Sequence, residues 1–288
     1  MCEVRPVSGR GLGLVATRDI APGEVVLSET PVLLYPHHNS LVSAAEAAIN
    51  FEGLDDELAS ALLLLVRVIS LKTAATAGSG EAQATASAVL AAVASLVPAP
   101  ESVPFDAEEL LRRLPGGHDL TLGDVLGLLR RDAANAYGIS LDGGETLRGS
   151  VLLATGSRLN HECLPNVARL DAFDDGAPGA GLKHVAFKAL HAIPAGEELT
   201  QSYFPLHWDL EERQERAVEA GAEARPEDCG GADEGYVGMF LLKYSCPNDA
   251  CSGTLVPVSA RRADVSRCNV CGLQRTDQEL YAELDAMA

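Results

Sequence analysis

Arg158-Leu159-Asn160-His161-Glu162-Cys163-Leu164-Pro165-Asn166 is the stretch on which the reading of this chain turns. Amides, an imidazole, a carboxylate and a thiol crowd into a few positions. Pro165 has no N–H to donate and holds Leu164 in extended backbone, so the segment suits neither a helix nor a strand interior. It reads as a constrained polar turn whose groups are held for a ligand or for each other. A lone histidine is more often structural than catalytic. Among such neighbours His161 reads as a neutral imidazole fixed by hydrogen bonds. Asn166 reads as a structural tie to the C-terminal part of the domain.

Working outward, the chain has 288 residues and a formal net charge of −19, enough length for a sizeable core. So acidic a chain is a poor ligand for phosphates, and direct nucleic-acid binding is not expected. It suits a basic partner such as a lysine-rich peptide better than a nucleic acid, although solubility alone explains the charge better than steering does. Met1 to Pro6 is polar with no apolar leader behind it, and the best apolar run, Ala59 to Leu71, is short and carries Arg67. The expectation is an intracellular protein, of the nucleus, the cytoplasm or both, with no membrane partner. Of seven cysteines, four fall in pairs near the end, Cys246 with Cys251 and Cys268 with Cys271. Four thiolates in two pairs suit the tetrahedral preference of Zn2+ and leave no open position for water, so a structural zinc is expected.

The pattern of elements is mixed. Alternation after Gly9-Arg10-Gly11-Leu12-Gly13 predicts a strand over Leu12 to Ala16. Asp19 to Glu24 is a Pro-Gly turn, and Pro31 separates short strands at Val25 to Leu27 and Val32 to Tyr35. Residues 37–134 change character. Leu41 to Asn50, Leu54 to Lys72 and Ala82 to Leu96 have helical spacing, with Thr73 to Gly80 expected as a mobile loop. Asp106 and Thr121 are N-caps for helices at Ala107 to Leu114 and Leu122 to Ala134. Leu147 to Thr155 is a buried apolar segment. Strands follow at Val167 to Leu170 and Lys183 to Ala189, joined by an acidic loop from Asp171 to Gly181. Asp209 to Gly221 is a charged helical connector.

Several of these stretches, in order, resemble the SET-domain protein lysine methyltransferases. Asn160-His161-x-Cys163-x-Pro165-Asn166 resembles their signature turn, preceded by Ser157-x-Leu159. Gly-Arg-Gly-x-Gly with Asp-Ile-x-Pro-Gly-Glu resembles their start. Gly196-Glu197-Glu198-Leu199-Thr200-x-x-Tyr203 resembles their second motif. Asn135-Ala136-Tyr137-Gly138-Ile139 is similar to a segment of the SET-and-MYND branch. The MYND finger itself has no place here, because the span between Cys2 and Cys163 holds no cysteine.

The resemblance implies an α+β fold. A β-rich SET domain over 5–208 would be interrupted by a helical insert at 37–134. A linker at 209–235 and a four-cysteine, zinc-binding, post-SET-like segment at 236–276 would follow. It implies S-adenosylmethionine as methyl donor and a lysine-containing protein or peptide as acceptor. Arg10, Gly11, Leu12, Gly13, Asn135, Ser157, Leu159, Asn160, His161 and Tyr203 would face the donor, and Tyr203 would be the catalytic tyrosine. Leu12 stands where the branch often has Asn, so its contact would be through the backbone. Phe240 or Tyr244 would cover the adenine or the lysine channel. The family's first cysteine cluster is reduced to Cys229, which leaves open whether Cys163 shares a second metal site with it or is a buried free thiol. A catalytically inactive SET-derived module that binds peptide or cofactor is the alternative. A zinc-ribbon adaptor would explain only the C-terminus and the insert.

Overall fold

The computed structural model describes residues 1–36, 49, 51–99, 106–140, 148–173, 182–208, 212–213, 215 and 234–287. It divides into two compact units, one of Met1–Glu29, Arg158–Ala172 and Lys183–Ala288, the other of Thr30–Ser157 and Phe173–Leu182. The strands are β1 (Cys2–Val7), β2 (Gly11–Ala16), β3 (Val25–Glu29), β4 (Leu33–Pro36), β5 (Ala136–Ser140), β6 (Arg148–Leu152), β7 (Asn160–His161), β8 (Val167–Phe173), β9 (Leu182–Ala189), β10 (Glu198–Gln201), β11 (Leu255–Ser259), β12 (Arg262–Cys268) and β13 (Gln274–Thr276). The helices are α1 (Asp56–Ala77), α2 (Gly80–Ser95), α3 (Ala107–Arg113), α4 (Leu122–Asn135), α5 (Glu234–Tyr244) and α6 (Asp277–Met287).

In the first unit, β1 and β2 form an antiparallel hairpin with Val7 opposite Gly11. The residues Glu3 to Pro6 of β1 are exposed, so the strand has no buried face and leaves no alternation to read. Beside β2 lies β10, antiparallel, with Leu199 opposite Leu14. Next comes the two-residue β7, parallel to β10, pairing Asn160 with Thr200 and His161 with Gln201. The order β1-β2-β10-β7 brings three distant motifs onto one sheet. A second sheet runs β3-β9-β8, and a third, β11-β12-β13, carries the paired cysteines. Phe240 and Tyr244 of α5 pack with Ala168, Leu190, Leu206 and Val256 in a shared core, and the Tyr244 hydroxyl donates to Leu190 O at 3.0 Å. Their surface is spent on that core, and Tyr236 is the exposed aromatic of the helix.

The second unit is built on α1. Leu62, Leu63, Leu64 and Leu65 are all buried, so the helix is apolar around most of its circumference. By length and composition alone α1 could cross a bilayer. Here it is the core helix of its unit, packed with α2, α3, α4 and with Leu33, Tyr35 and Leu152 of the sheet β4-β6-β5. The caps are those expected: Asp106 accepts from Glu109 N at 2.9 Å, and Thr121 and Asp124 close a reciprocal capping box.

The expected loop at Thr73 to Gly80 is not one. Helix α1 runs on to Ala77, with the Thr73 and Thr76 hydroxyls donating back to Ile69 O and Lys72 O and Gly78 N closing on Ala74 O. Small residues with satisfied hydroxyls continue a helix that packing has already nucleated. The expected helix at Leu41 to Asn50 lies outside the described residues, Ile49 excepted, as do most of the Asp171 to Gly181 loop and of the Asp209 to Gly221 connector.

Candidate functional site

Arg10 sits in the hairpin loop between β1 and β2, where Gly9 and Gly11 take positive φ. Its guanidinium donates to Glu198 Oε2 at 3.2 Å, to Glu162 Oε2 at 3.0 Å and to the carbonyl of His161 at 3.0 Å. One arginine thus ties the first motif to the signature turn and to the second motif. Beneath it, Asn160 Nδ2 donates to Glu198 Oε1 at 2.7 Å and to Leu12 O at 3.3 Å. Gly13 makes this approach possible, since a Cβ there would lie 2.7 Å from Glu198 Oε1 and 3.0 Å from Asn160 Nδ2. At Gly11 an added Cβ meets nothing within 4 Å, so the space beside the loop is open. Leu12 is exposed and contributes its backbone carbonyl to the network.

His161 Nδ1 accepts the backbone N–H of Tyr203 at 3.0 Å. That bond needs the Nδ1 lone pair, which assigns the ring proton to Nε2, 3.6 Å from the sulfur of Cys163. Cys163 is buried, as expected, but it is not a free thiol: its sulfur is disulfide-bonded. The Tyr203 hydroxyl donates to Leu159 O at 2.9 Å. The residue keeps 47 % of its surface, yet desolvation raises the hydroxyl's pKa above its ordinary value; Arg10 opposes the rise and Glu198 adds to it.

A row of rings continues from there. His161 is 5.3 Å from both Tyr203 and Phe204, and Phe204 stacks on Trp208 at 6.2 Å. Buried Arg213 braces the segment by donating to Trp208 O at 2.9 Å, to Cys163 O at 3.3 Å and to Leu206 O. Asn166 is the structural tie expected of it. Its Nδ2 reaches Glu198 O at 2.7 Å and Glu197 Oε1 at 3.1 Å, and its Oδ1 accepts Thr200 N at 2.8 Å.

The structure therefore gathers Arg10, Gly11, Leu12, Gly13, Leu159, Asn160, His161 and Tyr203 in the first unit. Asn135 and Ser157 belong to the second. There the Asn135 amide donates to Arg131 O and to Val97 O, each at 2.7 Å, which is the work of a helix-end amide. Ser157 Oγ lies 2.5 Å from Leu153 O and 3.3 Å from Asn135 O. Reading by residue type missed Glu198 and Glu162, whose roles depend on Arg10 and Asn160 arriving from far along the chain. It also missed Phe204 and Trp208.

The paired cysteines converge. The ligand atoms of Cys246, Cys251, Cys268 and Cys271 all lie within 4.8 Å of one another. Cys246 and Cys271 sulfurs are 3.6 Å apart, and Cys251 and Cys268 sulfurs 3.7 Å. A tetrahedron with Zn–S of ~2.3 Å has edges of ~3.8 Å, so the four sulfurs fit the ion. Gly253 is required beside them, because a Cβ there would collide with the Cys268 sulfur, and Gly272 takes φ 76° after Cys271. Asn269, inside the second knuckle, donates to Arg169 O of β8 at 2.9 Å.

A family model described as SET domain matches residues 11–204. The chain is 26 % identical over 205 residues to the histone-lysine N-methyltransferase ASHR2 of Arabidopsis thaliana, covering 52 % of this chain and 51 % of that protein. It is 34 % identical over 114 residues to the histone-lysine N-methyltransferase set5 of Schizosaccharomyces pombe, covering 40 % and 31 %. It thus spans about half or less of these relatives. Among solved structures it is similar to the SET domain of LSMT bound to lysine and AdoHcy (18 % identity, TM-score 0.40, 73 % of this chain, 49 % of that one). Rubisco LSMT bound to AdoMet gives 17 %, 0.40, 73 % and 48 %.

Proposed function

The chain belongs to the SET-domain family, and we propose that it is an S-adenosylmethionine-dependent protein-lysine N-methyltransferase of the branch related to the SET-and-MYND enzymes. The observation that carries this reading is the pairing of the Tyr203 hydroxyl with Leu159 O, held beside the Arg10–Glu198–Asn160 network. Both curated relatives are named as lysine methyltransferases.

The donor fits the residues present. The loop at Gly11 is open, and the side-chain Oδ1 of Asn160 makes no hydrogen bond among the described residues. It is therefore an acceptor for a cationic group. When bound, S-adenosylmethionine supplies an electrophilic methyl on sulfonium. The lysine amine must arrive neutral, its proton lost to solvent, and desolvation in the site favours that state. The amine nitrogen would take the methyl as its S–C bond broke, giving S-adenosylhomocysteine and a methyl-lysine ammonium. Tyr203 stays protonated and orients the amine. Its oxygen and that of Leu159, 2.9 Å apart, would offer lone pairs to the transferring methyl. Most of the rate comes from this alignment. Residues Cys246, Cys251, Cys268 and Cys271 would hold one zinc that fixes the C-terminal hairpin.

The partner is a lysine-containing protein, and the net charge of −19 favours a basic one. Residence inside the cell, nuclear or cytoplasmic, belongs to the same proposal. The test is methyl transfer from labelled donor to histones and to a whole lysate, beside Tyr203→Phe. The variant should lose about 10²–10³ in transfer while retaining donor binding. Full turnover by the variant overturns the role of Tyr203. Wild-type binding without transfer would make the chain a binding module instead.

A further inference from the structure

Glu198 lies in a motif whose tyrosine has a proposed role while the glutamate has none. Its two oxygens are divided. Oε1 accepts from Asn160 Nδ2 at 2.7 Å and Oε2 from Arg10 Nη1 at 3.2 Å. The carboxylate and the guanidinium are both largely covered, with 18 % of each side chain exposed. An asparagine amide can lie either way round, and nothing within Asn160 decides between the two. Its surroundings do. Leu12 O and Glu198 Oε1 are both pure acceptors on one side of it, so the NH2 must face them. The reverse orientation would set Asn160 Oδ1 against a carbonyl and a carboxylate. Gly13 adds the steric half of the constraint, because only a residue without Cβ lets Glu198 and Asn160 meet over β2.

We propose that Glu198 is a positioning residue: it locks the Asn160 amide so that Oδ1 points outward and accepts the α-ammonium of the methyl donor. Arg10, 3.2 Å from Oε2, holds the carboxylate in place. The inference rests on the methyltransferase reading and adds to it the group that sets the polarity of the donor site. Glu198→Gln keeps the size and removes the constraint. A glutamine must turn its own NH2 either toward the Arg10 guanidinium or toward the Asn160 NH2. The first arrangement sets NH2 groups against the guanidinium; the second gives Arg10 the oxygen and sets NH2 against NH2 at Asn160, so that Leu12 O alone still opposes inversion of the Asn160 amide and NH2 can be presented to the ammonium.

The experiment is calorimetric titration of S-adenosylhomocysteine and of its deamino analogue, which keeps the carboxylate and lacks only the α-ammonium. Glu198→Gln should lose about tenfold in affinity for the first, as for one charge-assisted hydrogen bond, and less than about twofold for the second. In an Asn160→Ala background the same change should leave the ratio of the two affinities where it was. Equal losses for both ligands, or an undiminished ratio effect in the Asn160→Ala background, overturn the proposal and leave Glu198 a structural brace. Failure of the wild-type protein to bind S-adenosylhomocysteine at all would overturn the donor reading itself. Asn160→Ala alone, which tests the acceptor without touching Glu198, should bind the two ligands with affinities closer together than wild type. If it does not, Oδ1 is not the acceptor.

Discussion

Gly11 and Gly13 are two residues apart on one strand, and the same substitution at each should have different consequences. At Gly13 an alanine Cβ would sit 2.7 Å from Glu198 Oε1, 2.7 Å from Val7 Cγ2 and 3.0 Å from Asn160 Nδ2. Ordinary contacts of this kind are ~3.5–4.0 Å. Something must yield. If β2 shifts, overpacking costs about 1–3 kcal/mol. If the carboxylate leaves Asn160 instead, a charged hydrogen bond of about 1.5–3 kcal/mol is lost. At Gly11 an alanine meets nothing within 4 Å, and the only cost is left-handed backbone at φ 74°, about 1–2 kcal/mol. The gain from a stiffer unfolded chain is common to both and cancels. Gly13→Ala should therefore be the less stable protein in urea unfolding, by about 1 kcal/mol. A Gly13→Ala protein as stable as Gly11→Ala would refute the close approach of Glu198 and Asn160 over β2.

Asp132 of α4 accepts from the Tyr35 hydroxyl, and burial pushes its carboxyl up to about 6 while that hydrogen bond pulls it down. A folded-state value above the unfolded one means that its contribution is full below about pH 4 and is lost as pH rises through about 6. Asp132→Asn keeps an acceptor for Tyr35 and sheds the charge. It should be more stable than wild type at pH 8, by up to about 3 kcal/mol, and no more stable at pH 4. A difference that ignores pH would contradict the buried carboxylate. The protein as purified should hold about one zinc per chain by atomic emission. Cys251→Ser should lower both the metal content and the thermal midpoint, and unchanged zinc would remove the site.

The parts of this fold that announce themselves in sequence are those where one local rule settles the geometry. Asp106 and Thr121 are caps in sequence and in space. Pro31 separates two strands that belong to different sheets. The glycines that follow the knuckle cysteines are forced by sulfur contact or by positive φ. What stays hidden depends on partners that only the tertiary fold supplies. Strand β1 has no buried face, so its evidence is its pairing with β2. Helix α1 extends past Lys72 through alanines and threonines that read as loop when its packed face is out of view. In the sequence Glu198 is one unassigned position of the second motif. Its hydrogen bonds come from Arg10, 188 positions earlier, and from Asn160, 38 positions earlier. Phe240 and Tyr244 show the converse: aromatics placed beside a motif were candidates for a channel, and the core of the first unit absorbed them.

The groups around Leu159 also bear on the proposed methyl transfer. Four side chains there have the right chemistry for a general base: Glu162 and Glu198, both paired with Arg10, and His161 and Tyr203. The Nδ1 lone pair of His161 is already committed to the Tyr203 backbone, so taking a proton there would release the segment that carries the tyrosine. Tyr203 is held protonated by the rise in its pKa, and its proton is committed to Leu159 O. Each group is worth more as a fixed hydrogen-bond partner than as a proton acceptor. Methyl transfer tolerates this arrangement, because an amine that enters neutral needs no base in the transition state. What it needs is a dry approach, a fixed line of attack and oxygens near the moving carbon. A site whose imidazole and phenol are both spent on geometry is suited to that reaction, and is a poor one for hydrolysis, where water must be deprotonated as it attacks.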